Sequence, residues 1–414
     1  VWRISGPDAA NGIRALIAQD LPSPRRASVR RLIDPVSGIE IDRAVVLWLP
    51  GPDSYTGEDS AELHTHGGRA VADALAGALA ALPGFRGAEP GEFTRRAVLN
   101  GKLDLTEAEA IADLAAAETE AQRRQALTQA GGALGAIHEA WRAELIRLRA
   151  HLEADIEFPD EDIGDPVAQL SGQITALRTR IADHLADARR GERLRDGVMV
   201  AVVGAPNAGK SSLVNALARR DVAIVSPEAG TTRDLIEVHL DLGGYPVILV
   251  DTAGLREAMG AVELEGIARA RVRAGSADLV VALFASDAPA DPETLALIDE
   301  RAIVVASKAD LAARAAGLAI STRTGAGIDM LVSALTRRVA DLLADSGRPP
   351  PTRARHREAL NACLAALDRA GTAPLPELAA EELRLAADAI GRITGRVDIE
   401  DMLDAVFRDF CIGK

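Results

Sequence analysis

The chain of 414 residues is 48% hydrophobic and 26% charged, enough for sizeable cores in about two to four domains, and wholesale disorder is excluded. Its 61 acidic against 47 basic side chains give a net charge of −14, which argues against a protein that grips nucleic acid by bulk charge alone and leaves room only for a local basic patch. Two cysteines, Cys363 and Cys411, are too few for a disulfide framework or a Cys-rich zinc site and fit a reducing cytosol.

The chain opens at Val1, without Met, on a strand-like Val-Trp-Arg-Ile-Ser, which implies residues upstream. Residues 1–98 mix short strand-like runs (3–5, 44–49) with Gly/Pro turns and one Ala-rich helical stretch over 69–82, the pattern of a small α+β domain. Residues 106–150 are rich in Ala, Leu, Glu and Arg with helical period, and the pattern resumes over 167–193 after Phe158-Pro159-Asp160. Apolar strand-type runs at 198–203, 247–250, 279–284, 303–306 and 318–321 then alternate with helical segments, the rhythm of a doubly wound parallel sheet. Beyond the Pro-rich linker at 347–352, helical patterning returns over 353–410. The expected division is 1–98, 99–196, an inserted α/β domain over 197–344, and 345–414. The apolar runs fall far short of the roughly 18 residues a membrane span needs, and no signal segment opens the chain.

The strand run 198–203 leads into Gly204-Ala-Pro-Asn-Ala-Gly209-Lys210-Ser211, which satisfies G-x-x-x-x-G-K-[ST]. In such a loop, consecutive backbone N–H groups of residues such as Asn207, Ala208, Gly209 and Ser212 curl around phosphates at a helix N-terminus. The Lys210 ammonium reaches the terminal phosphates, and the Ser211 hydroxyl binds Mg²⁺. Of the 47 basic side chains only four are lysines (102, 210, 308 and 414), so positions that kept Lys point to a need for a compact ammonium.

Further elements follow in order. In Gly230-Thr231-Thr232-Arg233-Asp234, a Thr hydroxyl, Thr232, would complete the Mg²⁺ shell. Asp251-Thr252-Ala253-Gly254 places a carboxylate near the metal and an amide near the γ-phosphate. Ser307-Lys308-Ala309-Asp310 offers a carboxylate to the guanine N–H and amino group, and Ser321-Thr322-Arg323 would back the base. Together they resemble the GTPase signature set. Two departures stand out. Ser307 replaces the usual Asn of the base motif, which is expected to loosen the loop or the base contact. Leu255 stands where many GTPases carry the Gln that orients water.

A GTPase domain inserted in a helical one, with the terminal Cys411-Ile-Gly-Lys414, resembles the MnmE (TrmE) family of tRNA-modification GTPases. Segments at Gly51-Pro-Asp-Ser-Tyr-Thr-Gly-Glu-Asp59, His66-Gly-Gly68, Pro90-Gly-Glu-Phe-Thr94, Leu99-Asn-Gly-Lys-Leu-Asp-Leu105 and Phe158-Pro-Asp-Glu161 carry the same resemblance. It implies a multi-domain fold: an α+β N-terminal folate-binding domain that dimerises, a helical central domain and an inserted P-loop GTPase domain. It implies a site for 5-formyltetrahydrofolate or a related tetrahydrofolate at Arg3, Glu62, Lys102 and Lys414, with Cys411 as an accessible thiol near the one-carbon unit. It also implies a K⁺ ion held by Asn207, Ser226, Glu228 and Thr231, and Glu263 as the water-orienting catalytic residue beside Lys210. The implied activity is a K⁺-stimulated cytoplasmic GTPase, a homodimer. With an FAD-containing MnmG (GidA)-type partner, it adds an aminomethyl or carboxymethylaminomethyl group to C5 of the tRNA wobble uridine.

His64 and His66 sit two apart without a third ligand nearby, which favours a structural role over a metal site. Arg-rich stretches at 25–31 and 353–357 are candidates for tRNA contact or simple solvated faces. The rival function is a regulatory or ribosome-assembly GTPase acting as a binding switch; the N-terminal domain and the terminal Cys-Ile-Gly-Lys discriminate against it. A folate-dependent methyltransferase would leave the GTPase motifs unexplained.

Overall fold

The computed structural model describes residues 1–157, 166–220, 222–224, 237–251, 275–312, 317–344, 347–398, 402–403, 406–407 and 410. The chain divides into two compact units. One comprises Val1–Ala112, Ala130–Leu145 and Ala387–Lys414, and the other Asp113–Gln129 and Ile146–Ala386.

The first unit is built on an antiparallel sheet of β1 (Trp2–Ser5), β2 (Ser28–Ile33), β3 (Glu40–Leu49) and β4 (Ser60–His64), in the order β1-β4-β3-β2. Alternation along β3 buries Ala44, Val46 and Trp48 on one face, as period two requires. The helix Ala9–Ile17 buries Ala9, Ile13, Leu16 and Ile17 at helical spacing, and they join Ile4, Leu32, Leu63 and Leu75 in one core. The expected helix over 69–82 is Arg69–Ala80. The helix Ala9–Ile17 and strands β2 and β4 had no separate expectation.

A second core in this unit gathers Val98, Leu105, Ala108, Leu403, Phe407 and Phe410. Gly91, the residue before the helix Glu92–Leu99, has φ +70°, and a Cβ there would lie 2.8 Å from Phe407 Cδ1 and from Phe410 Cβ. Gly91→Ala therefore adds left-handed strain to overpacking and is expected to destabilise the unit by about 2 kcal/mol. A clear fall in the urea midpoint checks this; an unchanged midpoint would refute it.

The second unit holds a sheet ordered β10-β9-β8-β5-β7-β6, from β5 (Val198–Gly204), β6 (Glu237–Leu242), β7 (Tyr245–Asp251), β8 (Leu279–Ala285), β9 (Ala302–Ser307) and β10 (Leu318–Ala319). Strands β5 and β8 are apolar almost throughout because both faces are covered. Pairing is parallel from β10 to β7, but β6 is antiparallel to β7. No strand was expected at β6, and it makes the sheet mixed where a parallel one was expected: β6 and β7 are joined by Gly243-Gly244 as a hairpin, which needs no crossover. The strand expected over 318–321 is also shorter, Leu318–Ala319; Ile320 N still donates to Ala306 O of β9 at 2.8 Å, and Ser321 N turns to Ala326 O.

The helical run expected over 106–150 consists of Leu105–Ala116, Glu120–Ala130 and Ala133–Glu157, with Thr119 and Gly132 at the breaks. Further helices are Pro166–Ala186, Ala188–Asp196, Ala354–Ala370 and Pro376–Thr394. The chains leading into and out of the α/β domain meet one carboxylate. Arg195 and Arg353 both donate to Asp113 Oδ1, at 3.0 and 2.7 Å. Among the described residues, no helix is long and apolar enough to cross a membrane.

Candidate nucleotide-binding site

Strand order reverses around β5: β7 lies on one side and β8 on the other. A crevice at the carboxyl ends of the strands is where such a sheet receives a ligand, and the predicted motifs emerge there. The loop 204–209 follows β5, Asp251 ends β7, Ser307 ends β9, and Ser321 lies just beyond β10.

Gly209, at φ +94°, caps the helix Lys210–Ala218, and Asn207 also has positive φ, +63°. These conformations let the loop wrap so that the helix's first N–H groups point outward, toward an anion. Lys210 is 9% exposed, and its Nζ donates to the carbonyls of Gly204 and Ala205 at 2.8 and 2.9 Å. The Ser211 hydroxyl donates to Asp251 Oδ2 at 2.6 Å. Two oxygens 40 residues apart in sequence therefore converge beside the helix N-terminus, a donor set suited to a hard cation.

At the base end, the Ser321 hydroxyl donates to Asp310 Oδ1 at 2.7 Å and Arg323 Nε lies 2.9 Å from Oδ2. The Ser321 hydrogen bond, aided by Arg323, holds the Asp310 carboxyl below the usual carboxylate range. Lys308, at φ +55°, pairs with Asp287 at 3.0 Å. Ser307 is 3% exposed, and its hydroxyl donates to Ala208 O at 2.6 Å, with Phe284 O at 3.3 Å. The serine thus ties the base loop to the phosphate loop.

In the first unit, Arg3 and Glu62 are directly opposed across β1 and β4, with Arg3 Nη2 2.9 Å from Glu62 Oε1. The Arg3 guanidinium also lies 5.6 Å from the Tyr55 ring centre and 5.8 Å from that of Phe93. Burial pushes the Glu62 carboxyl up, but hydrogen bonds from Arg3 and His64 outweigh it and leave the pKa below the ordinary value. Lys102 is exposed, and its side chain runs past Gly57; none of its described contacts reaches Arg3 or Glu62.

Residues 1–102 match the family described as GTP-binding protein TrmE N-terminus, and residues 105–411 the one described as MnmE helical domain. A protein of Parvibaculum lavamentivorans named tRNA modification GTPase MnmE is 56% identical over all of this chain and 96% of its own length. The chain belongs to the MnmE family of tRNA-modification GTPases. The MnmE of Rhodospirillum rubrum is 55% identical, again over the whole chain and 96% of the relative. The human mitochondrial 5-taurinomethyluridine-tRNA synthase subunit GTPB3 is 48% identical over the whole chain and 90% of its length.

Several MnmE-type positions singled out in sequence lie outside the described residues: Ser226, Glu228, Thr231, Thr232, Thr252, Ala253, Gly254, Leu255, Glu263, Cys411 and Lys414. His66 Nδ1 meets Asp42 Oδ1 at 2.8 Å and His64 Nε2 meets Glu62 Oε2 at 3.3 Å. No metal-holding cluster of His, Cys, Asp or Glu occurs among the described residues. Three arginines of the Arg-rich stretches pair within the chain: Arg31 with Glu40, Arg353 with Asp113 and Arg357 with Glu192. Sequence reasoning missed Tyr55, Phe93 and Asp287. The first two stand inside quoted family segments, but no local pattern announces that Asp287 anchors Lys308.

Proposed function

We propose that this chain is a GTPase whose cycle serves modification of C5 of the tRNA wobble uridine, the new carbon coming from a tetrahydrofolate. The observation that carries the reading is the convergence of Lys210, the Ser211–Asp251 pair and Asp310 on one sheet edge, in a chain aligned with its family from end to end. GTP would lie along that edge, phosphates on the loop 204–211 and base at Asp310. Its amide contacts would come from Asn207, Ala208, Gly209 and Ser212, with Thr252, Ala253 and Gly254 near the γ-phosphate and Ser307, Lys308, Ser321, Thr322 and Arg323 around the base.

Ser211 and Thr232 would hold Mg²⁺, with Asp251 behind Ser211, and the bound ion would offset phosphate charge. Asn207 with Ser226, Glu228 and Thr231 would hold K⁺, supplying the positive charge that an arginine finger supplies elsewhere. Lys210 would exchange its two loop carbonyls for phosphate oxygens, which strengthens a charge-assisted contact as charge grows. Glu263 would orient the attacking water in place of a Gln at 255. GTP hydrolysis is accordingly expected to be much faster in K⁺ than in Na⁺. Asn207→Ala should lose that dependence, and Glu263→Ala should bind GTP but turn it over at least about 10²-fold more slowly. Equal rates in the two salts would remove K⁺ from the mechanism.

The folate would sit at Arg3, Glu62, Lys102 and Lys414, the carboxylate taking pterin N–H donors and the cations taking the carboxylate tail. Charge pairing between Arg3 and Glu62 beside two aromatic rings supports this placement. Cys411 would present its thiol to the one-carbon unit. The working assembly is a cytoplasmic homodimer with an MnmG-type flavoprotein and tRNA, and the working division is 1–98, 99–196, 197–344 and 345–414. Titration with 5-formyltetrahydrofolate tests the reading. Arg3→Ala or Glu62→Ala should weaken folate binding about tenfold or more and leave GTP hydrolysis near the parent rate. Loss of both activities together in a folded variant would count against two separate sites.

A further inference from the structure

Position 307 is where the base loop departs from its usual sequence, and the serine there has a single hydrogen to donate. That hydrogen goes to Ala208 O in the phosphate loop at 2.6 Å, and the other close neighbour, Phe284 O at 3.3 Å, is also an acceptor. A purine stretched from the phosphate loop to Asp310 would pass over this residue, which sits between the two. Guanine presents N7 and O6 on this side, both acceptors, so a side chain that reads N7 must donate. Around the base loop, the charged side chains and Ser321 have other commitments, whereas among the described residues the Thr322 hydroxyl is not committed and the Ser286 hydroxyl is buried without a partner. The Lys308 ammonium faces Asp287, the Ser321 hydrogen goes to Asp310, Arg323 pairs with the same carboxylate, and Asp310 itself only accepts.

Resting on the nucleotide reading above, we infer that this protein recognises guanine through its N1–H and exocyclic amino group and that position 307 gives N7 no donor. Ser307 is then a positioning residue: it fixes the base loop on the phosphate loop and does not itself touch the base. The ligand class that follows is guanine nucleotides in which a C–H replaces N7, accepted as readily as the parent nucleotide. An amide at 307 would behave differently, because it carries two hydrogens and could satisfy Ala208 and N7 together.

The test is a competition assay on the full chain, with GDP and 7-deaza-GDP displacing a fluorescent GDP. In 7-deaza-GDP a C–H replaces N7, and the N1–H, exocyclic amino group, ribose and phosphates are all kept. A neutral hydrogen bond to N7 would make the analogue about 2- to 10-fold weaker. The expected ratio of dissociation constants is near one, and a deficit above about threefold would overturn the inference. Ser307→Ala should weaken both ligands equally, because the tether is lost and no base contact with it; a changed ratio would show that the serine reads N7. Ser307→Asn should create a preference for GDP, and a folded variant without one would overturn the placement of this side chain beneath N7. The parent ratio stands on its own if either variant fails to fold. If GDP itself does not bind, the nucleotide reading fails, an outcome distinct from tight GDP binding with weak 7-deaza-GDP binding.

Discussion

Asp310→Asn is expected to lower the affinity for GTP by about 10³-fold or more and to make a xanthine nucleotide the preferred ligand. Guanine offers two donors to this position, and a carboxylate accepts both. An asparagine has one acceptor and one donor, and its environment decides which faces the base. The Ser321 hydroxyl donates to Oδ1 at 2.7 Å, so the amide oxygen stays there and the amide nitrogen takes the place of Oδ2. A donor then confronts the guanine amino group, and two hydrogens compete for one space. Xanthine carries a carbonyl at that position and accepts from the amide. The variant also gives up the ion pair with Arg323, but that side chain is 75% exposed and the pair is screened, so little stability goes with it. Dissociation constants for GDP and XDP check the outcome. Undiminished GDP binding by the variant would show that Asp310 does not meet the base.

The parts of this site that were legible in sequence share a cause: their chemistry needs contiguous residues. A phosphate cradle requires Gly, Lys and Ser at fixed spacing, so residues 204–211 announce themselves before any fold is known. Strands β5 and β8 were legible because burial on both faces leaves unbroken apolar runs, and the second half of β3 because residues 44–49 are themselves an apolar run. Strand β6 was not legible as a strand, because Glu237-Val-His-Leu-Asp-Leu242 interrupts its apolar residues with polar ones and lacks the unbroken apolar run that marked the other strands of this sheet. Strands β2 and β4, with Arg31 and Glu62 in their interiors, owe their place to cross-strand partners that local pattern does not contain. Nor could sequence show that Tyr55 and Phe93, 38 residues apart, would flank the same arginine. At Ser307 the sequence showed the departure, but only the 2.6 Å approach to Ala208 shows that the loop is tied down all the same.

Lys210→Ala is expected to reduce GTP turnover by about 10²–10³-fold, the usual consequence of removing a preorganised donor from developing charge. Lys210→Arg is expected to lose nearly as much, which is the more informative result. The ammonium occupies a recess with 9% exposure, closed by the carbonyls of Gly204 and Ala205 at 2.8 and 2.9 Å. Those two oxygens suit a compact group with three hydrogens around one nitrogen. A guanidinium spreads its charge over a plane and would have to displace the loop to enter. Arginine supplies nearly all the basic side chains of this chain, with lysine at four positions, so a lysine here fits a recess that arginine cannot fill. Neither substitution cuts into a hydrophobic core, but both disturb the hydrogen bonds to Gly204 and Ala205, so thermal melting without nucleotide should fall by a few degrees, whereas the stabilisation that GDP confers should vanish. Melting curves with and without GDP, beside turnover rates, separate these effects. An active Lys210→Arg variant would mean that the recess accepts any cation, and the distinction drawn here between the two side chains would fall.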